Sequence, residues 1–155
     1  MIEIELAKAL RKKLEEIVAD FRMPTDDKKF PDRAPKIING YLPPKRSNAD
    51  PDFPFVIVRP KSGRTQEESS SRVSVNLIIG CYSEEFDGHE YALNVMTRIR
   101  TGLLEMTHYT LENRYRLELP LSWELFDDQP YPQWQLEMTT EWTVATPQDM
   151  GDEYI

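Results

Sequence analysis

The sequence predicts an α+β layer fold: a mainly antiparallel four- to five-stranded sheet with two helices packed on one face. Three observations predict it. Residues 4–21 and 87–106 repeat apolar side chains with a helical period. Four other segments alternate with period two or run apolar, as strands do. The order is helix, irregular arm, strand, strand, helix, strand, strand, and strands consecutive in the chain favour antiparallel pairing over β–α–β units. With 155 residues, a single domain over 1–146 holds all of these elements, followed by a polar tail over 147–155.

In the first helix, 4–21, Leu6, Leu10, Leu14, Ile17, Val18 and Phe21 make one apolar stripe, and Met23-Pro24 closes it. Seven of the twelve prolines fall within 22–54, a density that forbids a long helix or a central strand there. That segment is expected as an arm, either laid on the body or partly mobile, with a short edge strand at 37–42. FVIVRP, 55–60, reads as a buried strand, and RVSVNLIIGCYS, 72–83, as a strand with one apolar face. Between them KSGRTQEESSS, 61–71, has no apolar side chain and is expected as a long flexible loop.

The second helix, 87–106, carries Ala92, Val95, Met96, Ile99, Leu103 and Met106 on its stripe. Asp87 and Glu90 are spaced as a capping box, with Ser83 as the alternative cap of an earlier start. A strand over 114–125 is interrupted by Pro120, which predicts an edge or a bulge. In the last strand, 134–145, Trp134, Leu136, Met138, Thr140, Trp142 and Val144 share one face; Gln135, Glu137, Thr139, Glu141 and Thr143 share the other.

Charge narrows the function classes. The net charge of -8 lies wholly in residues 112–155, where ten acidic residues meet only Arg114 and Arg116. A surface of this kind does not wrap nucleic acid by charge attraction. It either keeps the protein soluble or repels polyanions. No apolar run reaches the roughly 20 residues that span a bilayer. MIEIELAKAL has no basic stretch leading into an apolar one, which predicts synthesis and residence in a cytoplasm.

The chemistry-bearing residues form no catalytic constellation. Cys81 is the single cysteine and lies in an apolar strand, as a buried inert thiol does. His89 and His108 stand near opposite ends of the second helix, about 28 Å apart at 1.5 Å per residue, too far to share a metal. Glu84, Glu85 and Asp87 suit a helix start. Asp127 and Asp128 fit a turn and lack a base, a nucleophile or a third ligand; their other reading is a carbohydrate or cation site with Tyr131 and Trp134. Neither a metal, a cofactor nor an enzymatic activity is expected.

Two longer stretches carry a resemblance. VSVNLIIGCYSEEFDGHEYALNVMTRIRTGLL (73–104) is followed by YRLELPLSWELFDDQPYPQWQLEMTTEWTV (115–144). An "IGCY" strand end, an acidic-Gly turn, an amphipathic helix, a "PLSWEL" strand, a "QPYPQW" turn and a "TTEWTV" strand occur in that order. Together with the preceding FPFVIVRP, this resembles the tail-terminator (tail-completion) proteins of long-tailed bacteriophages and prophages, over roughly residues 53–146. The resemblance implies a structural role in the virion tail, assembled in the bacterial host cytoplasm. It implies a self-assembled ring, commonly a hexamer, that caps the tail tube and docks the head connector. DNA would be passing cargo only, and a membrane is not a partner. Another head–tail joining or minor tail component is the alternative within the same class.

On that reading the surface residues expected at a subunit or partner interface are Arg64, Gln66, Glu67, Tyr131, Glu137 and Glu141. Glu137 and Glu141 would also give an acidic wall past which DNA slides. In DDQPYPQW (127–134) the two prolines stiffen a corner, Trp134 anchors it on the core, and Tyr131 is either a lid over that core or a contact for a neighbour.

Overall fold

The computed structural model describes residues 2–44, 51–67 and 70–145. Helix α1 (Ile2–Ile17) is followed by β1 (Lys36–Asn39), β2 (Phe55–Glu67), β3 (Ser70–Tyr82), α2 (His89–Leu104), a 3-10 turn (Thr107–Tyr109), β4 (Thr110–Leu111), β5 (Tyr115–Leu125) and β6 (Gln133–Ala145). They form a two-layer α+β fold. The strands make one six-stranded sheet in the order β1-β2-β3-β6-β5-β4, with α1 over β1 and β2 and α2 over β3 and β6.

The sheet is mixed and has one strand more than expected, because β1 runs parallel to β2 and the two-residue β4 caps β5. The parallel start follows from the arm. After β1, Gly40 turns with φ +85° and donates its N–H to the Val58 carbonyl, and the chain re-enters at Phe55 beside Lys36. Earlier in the arm, Met23 and Arg33 exchange both backbone hydrogen bonds, and the Arg33 guanidinium donates to the Pro51 and Phe53 carbonyls. The described part of the arm is thus tied to the body.

One expectation is overturned outright. Residues 61–67, expected as the start of a flexible loop over 61–71, continue β2, and 70–71 belong to β3. The pairing runs from Phe55↔Gly80 out to Glu67↔Ser70, and β6 backs β3 as far as Ser70↔Ala145. Polar side chains do not prevent this, since backbone pairing needs no apolar face and Thr65 and Ser71 hydroxyls meet across the strands at 3.3 Å. Pro60 is tolerated because it lies beyond the end of β1, at a register shift between Pro60 and Ser62. Pro120 repeats the device on β5, inside the shift between Glu118 and Ser122 and beyond the reach of β4. That bulge answers the interruption expected there.

The helix-covered face is the core. Val56, Val58, Val73, Val75, Leu77, Ile79, Cys81, Leu136, Met138, Trp142 and Val144 meet Leu6, Leu10 and Leu14 of α1 and Val95, Ile99 and Leu103 of α2. Trp142 is fully buried, and its indole N–H donates to Thr140 Oγ1, whose hydroxyl donates to the Val75 carbonyl at 2.7 Å. The one polar residue in the row is therefore satisfied.

Helix ends differ from the sequence reading. α1 stops at Ile17, and Val18 and Phe21 of the expected stripe follow in a turn; Arg98 lies over the Phe21 ring and pairs with Asp20 at 2.7 Å. The capping box at Asp87 and Glu90 does not form: Gly88 is the N-cap, with no side-chain hydrogen bond. Ser83 caps the turn before it, its hydroxyl accepting the Glu85 N–H at 3.1 Å. The start of α2 is set by packing, because a Cβ on Gly88 would lie 2.2 Å from Trp134 Nε1. The 147–155 tail falls outside the described residues.

Candidate functional site

Alternate residues of the strands point away from the helices, and the register sorts them into rows across the sheet. Nearest the end where β2 passes into β3, Arg64 of β2 faces Arg72 of β3, Arg72 faces Thr143 of β6, and Thr143 faces Arg116 of β5. The next row inward is Ser62, Ser74, Glu141 and Glu118. Arg59, Asn76, Thr139 and Ser122 follow, then Ile57, Ile78, Glu137 and Glu124. Like charges are thus set directly opposite one another three times, at Arg64/Arg72, Glu141/Glu118 and Glu137/Glu124, an arrangement that costs stability in an isolated sheet.

Local partners soften only part of that cost. Thr143 Oγ1 donates to Glu118 at 2.9 Å, Arg116 lies 3.8 Å from the same carboxylate, and Asn76 Nδ2 donates to Glu137 at 2.6 Å. Ser62, Gly63, Arg64, Arg72, Ser74 and Glu141 line a depression of about 390 Å³ on this face.

The far end of the open face is closed and apolar. Phe53, Phe55 and Ile57 pack with Ile38, Leu42, Ile78 and Tyr82, and Phe53 meets Phe55 at 4.9 Å between ring centroids. The Phe55 ring lies against Gly80, where a Cβ would come within 2.3 Å of it. The end of the arm thus covers one end of the face and leaves the charged end bare.

Beyond that apolar end stands the 127–134 corner. Gln129 fixes it: its Nε2 donates to the Phe126 and Gln135 carbonyls and its Oε1 accepts the Gln135 N–H at 2.7 Å. The corner is sewn to the loop before α2 by Ser83 N–H to the Pro132 carbonyl, Trp134 Nε1–H to the Ser83 carbonyl, and Tyr131 Oη–H to the Glu84 carbonyl at 2.6 Å. Trp134, expected to anchor the corner on the core, is half-buried and is held instead by its Ser83 hydrogen bond and by Gly88, outside the core cluster. Tyr131 is 56 % exposed, edge-on to Trp134 and tied by its hydroxyl to the Glu84 carbonyl.

Asp127 and Asp128 are exposed on this corner. No group of three His, Cys, Asp or Glu among the described residues gathers as a metal would require. Beside the corner, Glu84, Glu85 and Asp87 are exposed around Phe86, which is 96 % exposed. Among the described residues, Lys28 pairs there, 3.9 Å from Glu84. Cys81 is buried under α2, and burial pushes its thiol up to about 12, which leaves it without nucleophilic character.

The structure therefore brings Arg64 and Glu141 together in the charged depression, places Glu137 two rows inward, and puts Tyr131 at the opposite end of the sheet. Gln66 and Glu67 lie on β2 next to Arg64, and only their backbone is described. Three residues escaped the sequence reading. Arg72 and Arg116 complete the basic row, and only the hairpin register reveals them; Phe86 was hidden in a segment read as a helix start.

No family model matches this chain, and no curated protein matches it. Among solved structures, it is similar to a chain of the virion of a native gene transfer agent (GTA) particle, at 10 % identity and a TM-score of 0.51, over 91 % of this chain and 95 % of that one. At that identity the likeness is one of fold. No helix among the described residues is long and apolar enough to cross a membrane.

Proposed function

From a fold shared almost end to end with a virion chain, we propose that this protein is a structural part of a phage-type particle, and within it a tail terminator. It would assemble as a ring, a hexamer in the family it resembles, cap the tail tube and dock the head connector, with DNA passing through without base-specific contact. The observation that carries the reading is the mutual coverage of that likeness, which leaves little of either chain over for a separate domain.

The surface supports a role in assembly. Tyr41, Phe86, Leu119, Trp123 and Tyr131 are large exposed apolar or aromatic residues. The acidic wall proposed for the channel is narrower than charge alone implied: it consists of the Glu118/Glu141 and Glu124/Glu137 rows, bordered by arginines. Those carboxylates would repel phosphates where they face the channel.

The test is electron microscopy of the protein purified alone and after co-expression with the tail-tube protein of the same particle. Closed rings seated at tube ends support the terminator. Rings or patches elsewhere on the particle would move the assignment to another head–tail or tail component, and absence from the particle would remove it.

A further inference from the structure

The sheet ends in two unlike edges. On one side, among the described residues, β1 pairs with β2 alone. Lys36 and Gly40 donate their N–H groups to the Pro54 and Val58 carbonyls. The N–H groups of Ile37 and Asn39, in the alternate positions, therefore point away from β2. On the other side β4 covers β5 only at Tyr115 and Arg116. Past Pro120 and its bulge, Ser122–Leu125 pair with β6 and with no second strand among the described residues. The two bare stretches match in length, at four residues each: 36–39 and 122–125.

Exposed apolar side chains gather along both edges. Of the seven large apolar residues exposed among those described, five flank them. Ile4 is on the side of α1 turned away from α2, half a rotation from Lys13, which borders the groove between the helices. Tyr41 follows β1. Leu119 and Trp123 stand on β5, and Leu104 is about 200° around α2 from Gly102, which meets Ile17 of α1. Trp123 pairs with Met138 of the core and so points to the helix side, but α2 lies over β3 and β6. Its ring is left 44 % exposed on a shoulder beyond the strands that α2 covers.

The edges also differ in charge. Residues 117–128 hold Glu118, Glu124, Asp127 and Asp128 and no lysine or arginine. Glu124 is set opposite Glu137 and has no ion pair among the described residues. Lys36, beside Phe55 on the same open face, likewise has none.

We infer that the occupant of the β5 edge is the β1 edge of a second copy of this protein, so that the sheet of one subunit runs on into the next. The open faces then adjoin, and Lys36 joins the face that carries Glu124. Ile37 continues the helix side next to Trp123, and the shoulder is flanked by the neighbour's α1, which lies over β1 and turns Ile4 outward. Backbone hydrogen bonds give such an edge its affinity, and side chains choose the strand. Pro35 before β1, Pro43 and Pro44 after it, and Pro120 on β5 hold the pairing to a few residues, which separates one specific neighbour from open-ended strand addition. A contact between unlike edges runs in one direction and closes into a ring when the rotation permits. This deepens the ring reading and rests on it; it names which surfaces make the ring.

Charge exchange and amide exchange together test it. One variant carries Lys36→Glu, a second Glu124→Lys, and a third both changes. Self-association of the full chain is read by native mass spectrometry and sedimentation, alone and with the tail-tube protein of the same particle, with thermal melts confirming folding. Wild type should associate, and each single variant should do so about tenfold or more weakly, as like-charge contacts do. Mixing the two single variants, or combining both changes in one chain, should restore association. Trp123→Ser should weaken it without altering charge. In the assembled wild type, the outward amides of 36–39 and 122–125 should lose their fast exchange with solvent. If wild type associates while the single variants are undiminished, or while those amides stay fast, the edge contact is wrong and the ring stands. If wild type is monomeric both alone and with the tube protein, the edge contact and the ring fall together. If the charge variants fail to fold, amide exchange in the assembled wild type decides: unprotected edges overturn the contact.

Discussion

The two faces of this sheet are made from alternating residues of the same strands, yet they follow different rules. On the face beneath α1 and α2, rows such as Val75/Thr140 and Val73/Trp142 are dry, and the one hydroxyl among them is bonded. On the other face the rows are charged, like is set against like, and a carboxylate such as Glu141 stands beside Glu118. The difference teaches where selection for stability ends. The covered face is arranged to hold one chain together; the open face is arranged as though its partner came from elsewhere.

The contrast can be broken most forcefully on the covered side. Trp142→Ala removes the largest fully buried side chain among the described residues and the donor to Thr140 Oγ1, and should cost about 3–5 kcal/mol in chemical denaturation. A loss under about 1 kcal/mol would mean that this face is not the core. Gly80→Ala on the opposite face drives a methyl into the Phe55 ring, and should cost about 1–3 kcal/mol because the arm has packed that end shut. A neutral result would show that the Phe53–Phe55 cluster gives way easily.

Arg72→Glu, by comparison, should shift stability by no more than about 0.5 kcal/mol in the same denaturation measurement, because the residue lies on the open face. Glu141→Gln should raise monomer stability by a few tenths of a kcal/mol by relieving its repulsion with Glu118, roughly the size of a cross-strand pair. The smallest effect concerns Cys81. Burial raises its folded value from 9.0 to about 12, so the folded state holds its proton over a window in which the unfolded chain has lost it. Stability from this group is full below pH 9 and declines as pH rises through that window. A thiol reagent at pH 8 should label it only on unfolding; rapid labelling of the native protein would show that the face beneath α2 opens.

Much of the covered face was legible in the sequence, because burial imposes a period. The alternation from Trp134 to Val144 and the stripe from Leu6 to Leu14 put the core residues on the right sides of the right elements. Pro120 announced its bulge because a missing N–H has few tolerable places in a strand. The open face was far less legible. Nothing apolar marks 61–67 as strand, since its pairing depends on backbone bonds that every sequence offers. Once that segment was read as loop, the pairing of Arg64 with Arg72 could not be seen. The start of α2 went astray for a related reason: it is fixed by Trp134, 46 positions away from Gly88, and not by the local Asp87/Glu90 pattern. The 127–134 corner falls between, since its rigidity was readable from two prolines but the Gln129 clamp was not.

The central claim is that the open face serves assembly of this chain into a particle ring. A reconstruction by electron microscopy of the protein bound to its tube end tests it most directly. The account predicts a closed ring with a central passage, in which the open face of the sheet lies where neighbouring subunits meet. A ring joined through the outer surfaces of α1 and α2, or a tube end bearing no ring of this protein, would contradict it.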